Sequence, residues 1–256
     1  DKKAASSSSS SAATDANGAL KTVTPDTLTI GTNLPAPGFW NGDDPDSIKG
    51  GLEYGIGQAL AKKLVLHKVK VVNVSFDALV AGTATGFDVA FSQVTITDER
   101  KSVVDFTTPY FSSDQGVLVK KGTSVKDGAE AKALQWGIQS ATTAEDVITK
   151  LAPTKETRVF QETSQAFAAL KAGQIDAVML DTSIVMQQAA QDPDKNLEVV
   201  AQFHTGEQYG GILPKGSPLA PKINAAIQAL IDDGTIGTLS ADNIGGDPSK
   251  IPTITP

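Results

Sequence analysis

Short apolar stretches alternate with amphipathic helical patterns along most of the chain, beginning at Leu28. The stretches "TLTIGTN" and "VKVVNVSF" are typical of strands, and "GGLEYGIGQALAKKL" between them has the period of a helix. The apolar stripe of that helix consists of Leu52, Ile56, Leu60 and Leu64. Strands that alternate with helices predict an α/β fold with a largely parallel sheet.

One layout occurs twice along the chain. Residues 76–95 ("FDALVAGTATGFDVAFSQVT") and 165–183 ("QAFAALKAGQIDAVMLDTS") each predict a helix that ends in Ala-Leu-x-Ala-Gly, then a turn and a strand. Two copies of one unit indicate two similar lobes.

A ligand site is expected at the ends of the predicted strands. In open α/β sheets, ligands bind beyond the carboxyl ends of the strands, and two facing lobes bring both sets of ends into one cleft. The polar and aromatic residues at these ends are Asn33, Phe76, Ser92 to Thr95, Gln139 to Thr143, and Asp181.

The N-terminal segment has a different composition. The first 22 residues contain six consecutive serines and one leucine, so they offer too little apolar surface to offset the entropy lost on ordering. We therefore predict a flexible Ser-rich tether over residues 1–24. It resembles the spacer behind the lipid-bearing cysteine of a bacterial surface lipoprotein, and an ordinary disordered tail explains the composition equally well.

Charge and composition exclude several classes of function. Lys and Arg number 22 against 29 Asp and Glu, the net charge is -7, and no basic run is present, so we expect no nucleic-acid partner. Cysteine is absent, and His67 and His204 have no second ligand at metal-site spacing, so we expect no metal. The glycine-rich signatures of nucleotide sites are also missing, which predicts no cofactor.

Arg100 is the first candidate for binding. It follows Thr97, a predicted N-cap, a few residues beyond a strand end. The planar guanidinium suits a carboxylate in a bidentate arrangement. A surface arginine paired with Asp98 or Glu99 is an equally acceptable interpretation of the sequence.

Asp181 and Thr143 complete a possible headgroup site. Asp181 ends an apolar strand, where its carboxylate either caps the next helix or faces the cleft and binds a cation. Thr143 lies at a helix start, whose exposed N–H groups favour an anion. Together with Arg100, these residues provide for a carboxylate and an ammonium, the two charges of an amino acid.

The loop "PGFWN" contains two large aromatic residues, Phe39 and Trp40. They either cover a ligand as a lid or form a small local core. Trp40 is therefore kept as a candidate ligand contact.

Five stretches resemble one protein family. They are "FDALVAG", "TITDERKSVVDFTTPYF", "GVLVKKGTSV", "AGQIDAVMLD" and "GEQYGGILPKGSPLAPKINAAIQALIDDGTI". In this order, over residues 28–239, they resemble the extracytoplasmic solute-binding proteins of ABC importers, in the polar amino-acid-binding family, as found in Gram-positive bacteria.

This resemblance implies an α/β, two-lobe fold of the type II periplasmic-binding-protein kind, with two crossover strands at the hinge. It assigns residues 25–111 and 208–256 to lobe 1 and residues 112–207 to lobe 2. It further implies a monomer that receives an amino acid, docks on an ABC permease at the cell surface or in the periplasm, and touches the membrane only through an N-terminal lipid.

Transferred residue by residue, the resemblance implies that Arg100 grips the ligand carboxylate with support from Thr95. The carbonyl near Gln93 and the carboxylate of Asp181 would bind the ammonium of the ligand. The amide N–H of Thr143 would bind the carboxylate of the ligand. Gln93 stands where glycine or serine is common in the family.

The resemblance also implies where the ligand side chain lies. Phe76 would form a platform over the ligand, and Asn33 and Gln139 would contact its side chain. Asn33 replaces the aspartate of several binders of cationic ligands, and no carboxylate is evident for a second cation. A neutral polar L-amino acid, glutamine or asparagine, is therefore expected.

Two other functions fit the sequence. An enzyme on the same scaffold, such as a dehydratase, needs a general acid or base in the cleft, and Glu207 near the second crossover is the one glutamate that the sequence brings close. A ligand-sensing domain is the other alternative.

Overall fold

The computed structural model describes residues 13–256, which form nine α-helices and ten strands. The strands are β1 Thr27–Thr32, β2 Lys68–Asn73, β3 Val89–Ala90, β4 Asp105–Phe106, β5 Phe111–Lys120, β6 Trp136–Gln139, β7 Arg158–Phe160, β8 Ala177–Asp181, β9 Leu197–Tyr209 and β10 Ile212–Leu213. The helices are α1 Leu52–Lys63, α2 Phe76–Val80, α3 Asp98–Lys101, α4 Gly128–Lys132, α5 Ala144–Leu151, α6 Thr163–Lys171, α7 Thr182–Gln191, α8 Ala220–Asp232 and α9 Thr235–Asn243, with a short 3-10 helix at Pro248–Lys250.

These elements build two five-stranded sheets, which confirms the predicted two-lobe α/β fold. In lobe 1 the strand order is β2-β1-β3-β10-β4, and β1 pairs in parallel with β2 and β3. In lobe 2 the order is β7-β6-β8-β5-β9, and β6 pairs in parallel with β7 and β8. The repeated sequence layout corresponds to α2–β3 in one lobe and α6–β8 in the other.

The helix stripe predicted for α1 faces the core of lobe 1. Leu52, Ile56 and Leu60 are fully buried there, and Leu64 packs against the same cluster from a partly buried position. Burial of such side chains contributes about 1.5–3 kcal/mol each, which holds α1 against the sheet. Lobe 2 has its own core around Trp136.

The hinge consists of the two segments that connect the lobes. The chain leaves lobe 1 after β4 and returns at the end of β9, and the two crossovers pair with each other through Phe111 opposite Tyr209. The N–H of Tyr110 also donates to the carbonyl of Tyr209 at 3.0 Å.

The structure differs from the predicted tether in part. Residues 1–12 lie outside the described residues. Residues 13–24 are attached to lobe 1: Ala13 is buried, Thr14 bridges to Leu20, and the N–H of Val23 donates to Asp88 at 2.8 Å. Leu20 packs on the same core, so Ala13 and Leu20 together dock this turn on lobe 1.

The last residues also differ from the predicted lobe boundary, which assigned 208–256 to lobe 1. Thr253 forms a parallel bridge with Gln202 of β9, and Ile254 is buried in the core of lobe 2. The side chain of Gln202 donates to the carbonyls of Pro248 and Ile251, at 2.8 and 3.2 Å. The chain thus passes back to lobe 2 after α9.

Within residues 13–256, no helix combines the length and the apolar character needed to cross a bilayer.

Candidate functional site

The carboxyl ends of the parallel strands in both lobes face one small cavity. The lining side chains close around a space of about 30 Å³, room for a water molecule or two. The lining residues are Asn33, Phe76, Ser92, Gln93, Thr95, Arg100, Gln139, Thr142, Thr143, Thr163, Leu180, Asp181 and Ile184. Eight of the nine residues predicted as ligand contacts are in this set, and the ninth, Trp40, is not.

Arg100 enters the cavity from α3, whose start is capped as predicted by the Thr97 hydroxyl, 3.1 Å from the N–H of Arg100. The guanidinium is buried and lies 5.5 Å from the ring centre of Phe76. Its Nη1 and Nη2 donate to the carbonyls of Thr95 and Ala141, at 2.8 and 2.7 Å. The second of these bonds joins the two lobes.

Three of the five N–H groups of Arg100 have no acceptor among the described residues. None of the ion pairs formed within residues 13–256 includes this side chain. Burial lowers the pKa of Arg100, and the carboxylates of Asp181 and Glu207 oppose that shift. A buried guanidinium with spare donors is suited to an anion that enters the cavity.

Asp181 lies at the N-cap position of α7, but its side chain makes no capping hydrogen bond. Its carboxylate instead accepts from Gln115 Nε2 at 2.6 Å and from the Tyr209 hydroxyl. Of the two roles open in the sequence, the geometry therefore corresponds to the carboxylate that faces the cleft.

A second carboxylate lies close to Asp181. Gln115 Nε2, which carries two hydrogens, also donates to Glu207 at 2.8 Å and lies 3.2 Å from the Thr143 hydroxyl, while the buried Oε1 of Gln115 has no partner among the described residues. Burial, and then the charge of Glu207, raise the pKa of Asp181 to about 7. This group of acceptors is suited to an ammonium.

Gln93 is held by a buried glutamate that the sequence analysis did not identify. Glu53 on α1 is fully buried and accepts from the N–H of Gln93 at 3.0 Å, from its Nε2, and from the Tyr110 hydroxyl. Burial raises the pKa of Glu53, and these donors oppose the shift. Gln93 has a φ of 50°, the left-handed region, so Glu53 stabilises an unusual backbone conformation at the cavity wall.

Trp40 is a correction to the predicted site. Its ring is fully buried in lobe 1, and Nε1 donates to Glu53 and to the carbonyl of Phe91, at 3.1 and 3.0 Å. The indole thus has its polar partner inside the core and does not reach the cavity. The local-core interpretation of "PGFWN" is the one that the structure supports.

Asn33 and Gln139 meet directly across the cleft. Gln139 Nε2 donates to Asn33 Oδ1 at 3.3 Å, and Asn33 Nδ2 donates to Glu162 at 3.2 Å. Glu162, half-buried between β7 and α6, was missed because it lies in the polar stretch "QETSQ", which has no strand or helix signal. The structure thus brings a carboxylate to the residues predicted to contact the ligand side chain.

The described residues contain no cluster of three or more His, Cys, Asp or Glu side chains able to hold a metal ion. What the cavity offers is a buried cation with spare donors from lobe 1 and the buried carboxylate of Asp181 from lobe 2, with the half-buried Glu207 close behind it. Such an arrangement is suited to a small zwitterion, whose two charges contact both lobes only in the closed state.

Comparison with known proteins gives one family. The profile described as "Bacterial extracellular solute-binding proteins, family 3" matches residues 28–246. The chain is 35% identical to the ABC transporter glutamine-binding protein GlnH of Bacillus subtilis (strain 168) over 168 residues, which is 64% of this chain and 60% of that protein, less than two thirds of its length.

Two further similarities cover more of the chain. The L-cystine-binding protein TcyJ of Escherichia coli (strain K12) is 30% identical over 229 residues, 88% of this chain and 85% of that protein. The solved structure of an ancestral arginine-binding protein bound to glutamine superposes with a TM-score of 0.78 at 33% identity, covering 87% of this chain and 100% of that one.

Proposed function

The chain belongs to family 3 of the bacterial extracellular solute-binding proteins, and we propose that it is an extracytoplasmic receptor that binds an L-α-amino acid between its lobes and delivers it to an ABC permease. The observation that carries this proposal is the buried Arg100, without a carboxylate partner among the described residues, facing the same cavity as the buried Asp181.

The strength of the expected contacts agrees with such a role. Charge-assisted hydrogen bonds contribute about 1.5–3 kcal/mol each. Several of them to the carboxylate and the ammonium supply the roughly 8 kcal/mol of a micromolar complex after the costs of ordering. The headgroup therefore sets most of the affinity.

Ligand entry requires the lobes to separate. The cavity of about 30 Å³ is smaller than any amino acid, and the contacts of Arg100 with Ala141 and of Asn33 with Glu162 join the two walls. When the lobes close on a ligand, Arg100 exchanges its bond to the Ala141 carbonyl for an ion pair with the ligand carboxylate, in which both partners are charged, and that difference drives closure.

For the ligand side chain, Asn33, Gln139 and Phe76 are the basis of the neutral polar amino acid expected from sequence. That prediction lacked a carboxylate, and Glu162 supplies one. The hydrogen bonds at this end of the cavity therefore decide whether a neutral or a charged ligand side chain fits.

The enzyme alternative has no specific support. The relatives reported above are transport binding proteins, and Glu207, the proposed acid or base, does not line the cavity but is bonded to Gln115 and Thr205. The lipid anchor and the monomeric state remain predictions from sequence.

A thermal-shift screen tests the receptor proposal. The compounds are the twenty L-amino acids, with matched carboxylates that lack the ammonium and amines that lack the carboxylate. At about 100 times its Kd, a ligand of the folded state adds about 2.7 kcal/mol, or about 5–10 °C in Tm for a chain of this size. We expect shifts only from compounds that carry both charges.

Equal shifts from carboxylates without an ammonium would remove Asp181 from the site. If none of the twenty amino acids changes the melting temperature, the receptor proposal is wrong.

A further inference from the structure

We propose that Glu162 makes this receptor selective for a basic amino acid, whose side-chain guanidinium or ammonium lies between Glu162, Asn33 and Gln139. This inference rests on the proposed function and names the class of ligand for the same cavity.

The first support is the position of Glu162 relative to the ammonium site. In lobe 2 the strand order is β7-β6-β8; Glu162 follows β7, Gln139 ends β6 and Asp181 ends β8. Neighbouring strands lie about 4.8 Å apart, so the ends of β7 and β8 are about 10 Å apart. That separation suits a long side chain whose far end reaches Glu162 while its α-ammonium stays at Asp181.

The second support comes from the hydrogen bonds at this end of the cavity. The amide group of Asn33 uses one N–H on the carbonyl of Val74, at 3.0 Å, and the other on Glu162, at 3.2 Å. The amide group of Gln139 uses its two N–H groups on Asn33 Oδ1 and on the carbonyl of Gln161, at 3.3 and 3.2 Å.

These partners also fix which way each amide points. A backbone carbonyl and a carboxylate only accept hydrogen bonds, so the nitrogen of Asn33 has to face Val74 and Glu162. The carbonyl of Gln161 fixes the nitrogen of Gln139 in the same way. Both amides therefore have their donors in use, and only acceptor capacity remains.

A ligand side chain that lies between Asn33, Gln139 and Glu162 is therefore met by acceptors. Guanidinium and ammonium groups only donate, whereas the amide of glutamine also brings a carbonyl oxygen that finds no free donor among these three residues. An acceptor buried without a partner is costly, so the site discriminates against the neutral amide.

The third support is charge. Glu162 takes part in none of the ion pairs within residues 13–256. Its partners are neutral: it forms a capping box with Gln165 at the start of α6, and across the cleft it accepts from the amide of Asn33. A half-buried carboxylate in this situation gains most from a cation delivered by the ligand.

Isothermal titration at pH 8, where Asp181 is ionised, tests the inference. The ligands are L-arginine, L-lysine, L-glutamine and L-citrulline, the last being close to arginine in shape without its charge. We expect arginine or lysine to bind at least tenfold more tightly than citrulline and glutamine.

Two variants distinguish a specific contact of Glu162 with the ligand from the general effect of removing one negative charge. Glu162→Gln is expected to weaken binding of the basic ligand by about tenfold to hundredfold, the range of one charged hydrogen bond, and to change citrulline binding by less than threefold. Glu198→Gln removes the same charge from an exposed position of lobe 2 and should change neither.

Citrulline or glutamine binding as tightly as arginine to the unaltered protein would overturn the inference and leave the receptor proposal intact. Equal losses for charged and neutral ligands in Glu162→Gln would overturn it as well. If none of the four ligands binds and the thermal-shift screen finds no other amino acid, the receptor proposal itself has failed.

Discussion

Replacing Asp181 by asparagine should stabilise the protein without ligand while removing its ability to bind. Asp181 is fully enclosed between Gln115, Tyr209 and the nearby Glu207, and burial and that neighbouring charge raise its pKa from 3.8 to about 7. The negative charge is therefore unfavourable in the folded chain until a cation arrives.

The magnitude follows from the two pKa values. Between pH 4 and pH 7 the folded chain keeps a proton that the unfolded chain has released, so the free energy of unfolding falls as the pH rises. The slope is about 1.4 kcal/mol per pH unit over about three units, which amounts to about 4 kcal/mol at pH 8. Asparagine is never ionised, and rearranging the bond to Tyr209 costs about 1 kcal/mol. We expect Asp181→Asn to be about 3 kcal/mol more stable than the unaltered protein at pH 8 and about 1 kcal/mol less stable near pH 4.

Urea denaturation at several pH values between 4 and 8 measures this difference, with calorimetry for ligand binding. Asp242→Asn, which removes a carboxylate from an exposed position on α9, is the matched control and should follow the unaltered protein at every pH. Ligand affinity of the unaltered protein should fall as the pH drops below about 7, because the ammonium needs the ionised form of Asp181.

Two results would refute the reasoning. One is an unfolding free energy that does not decline between pH 5 and pH 8 in the unaltered protein. The other is an Asp181→Asn variant that is less stable than the unaltered protein at pH 8, since that would mean that the buried charge is already neutralised by its surroundings.

Three further substitutions have expected outcomes. Arg100→Ala removes at least two charge-assisted hydrogen bonds to the ligand carboxylate and should lower the affinity measured by calorimetry about 100-fold or more, with the fold retained. An affinity within threefold of that of the unaltered protein would exclude Arg100 as the residue that binds the carboxylate. Glu53→Gln should destabilise the chain by about 1–3 kcal/mol and weaken binding, because the NH2 group of glutamine takes the place of an oxygen that accepts from the N–H of Gln93. Unchanged values in denaturation and calorimetry would contradict a positioning role for Glu53. Val65→Gly should raise the unfolding free energy by about 0.5–1 kcal/mol without altering affinity, because this exposed valine, just after the C-cap of α1, has a φ of 56°, where glycine is favoured. A loss of stability in urea would show that the strain is compensated.

The strand ends could be predicted because a local pattern marks them. Arg100 and Asp181 each follow a short apolar strand, and the topology of open α/β sheets brings such positions to one edge. Their partners depend on contacts between distant parts of the chain. Gln115, which orients Asp181, lies 66 positions away in an uninterrupted strand pattern, and nothing in that pattern distinguishes it.

The positions of Trp40 and Glu53, by contrast, could not be predicted from a local pattern alone. An aromatic residue in a Pro/Gly loop has no signal that separates a lid from a core, because the decision depends on the carbonyl of Phe91, 51 positions away. Glu53 has a weak signal: it lies three and seven residues before Ile56 and Leu60, on the buried face of α1. An acid at such a position is a candidate for a satisfied buried group, and its partners still have to come from the fold.

The return of the C-terminal residues to lobe 2 has a mechanical consequence. Two paired crossover segments alone permit the lobes to twist as well as bend. Residues 244–252 add a third connection from α9 to β9, secured where Gln187 donates to the carbonyl of Gly245 at 3.1 Å and Gln202 to that of Pro248. Three connections restrict rotation about the long axis of the molecule. A fluorophore at Pro256 therefore moves with lobe 2, and paired with one on an exposed residue of lobe 1 such as Val103, it reads the angle between the lobes directly.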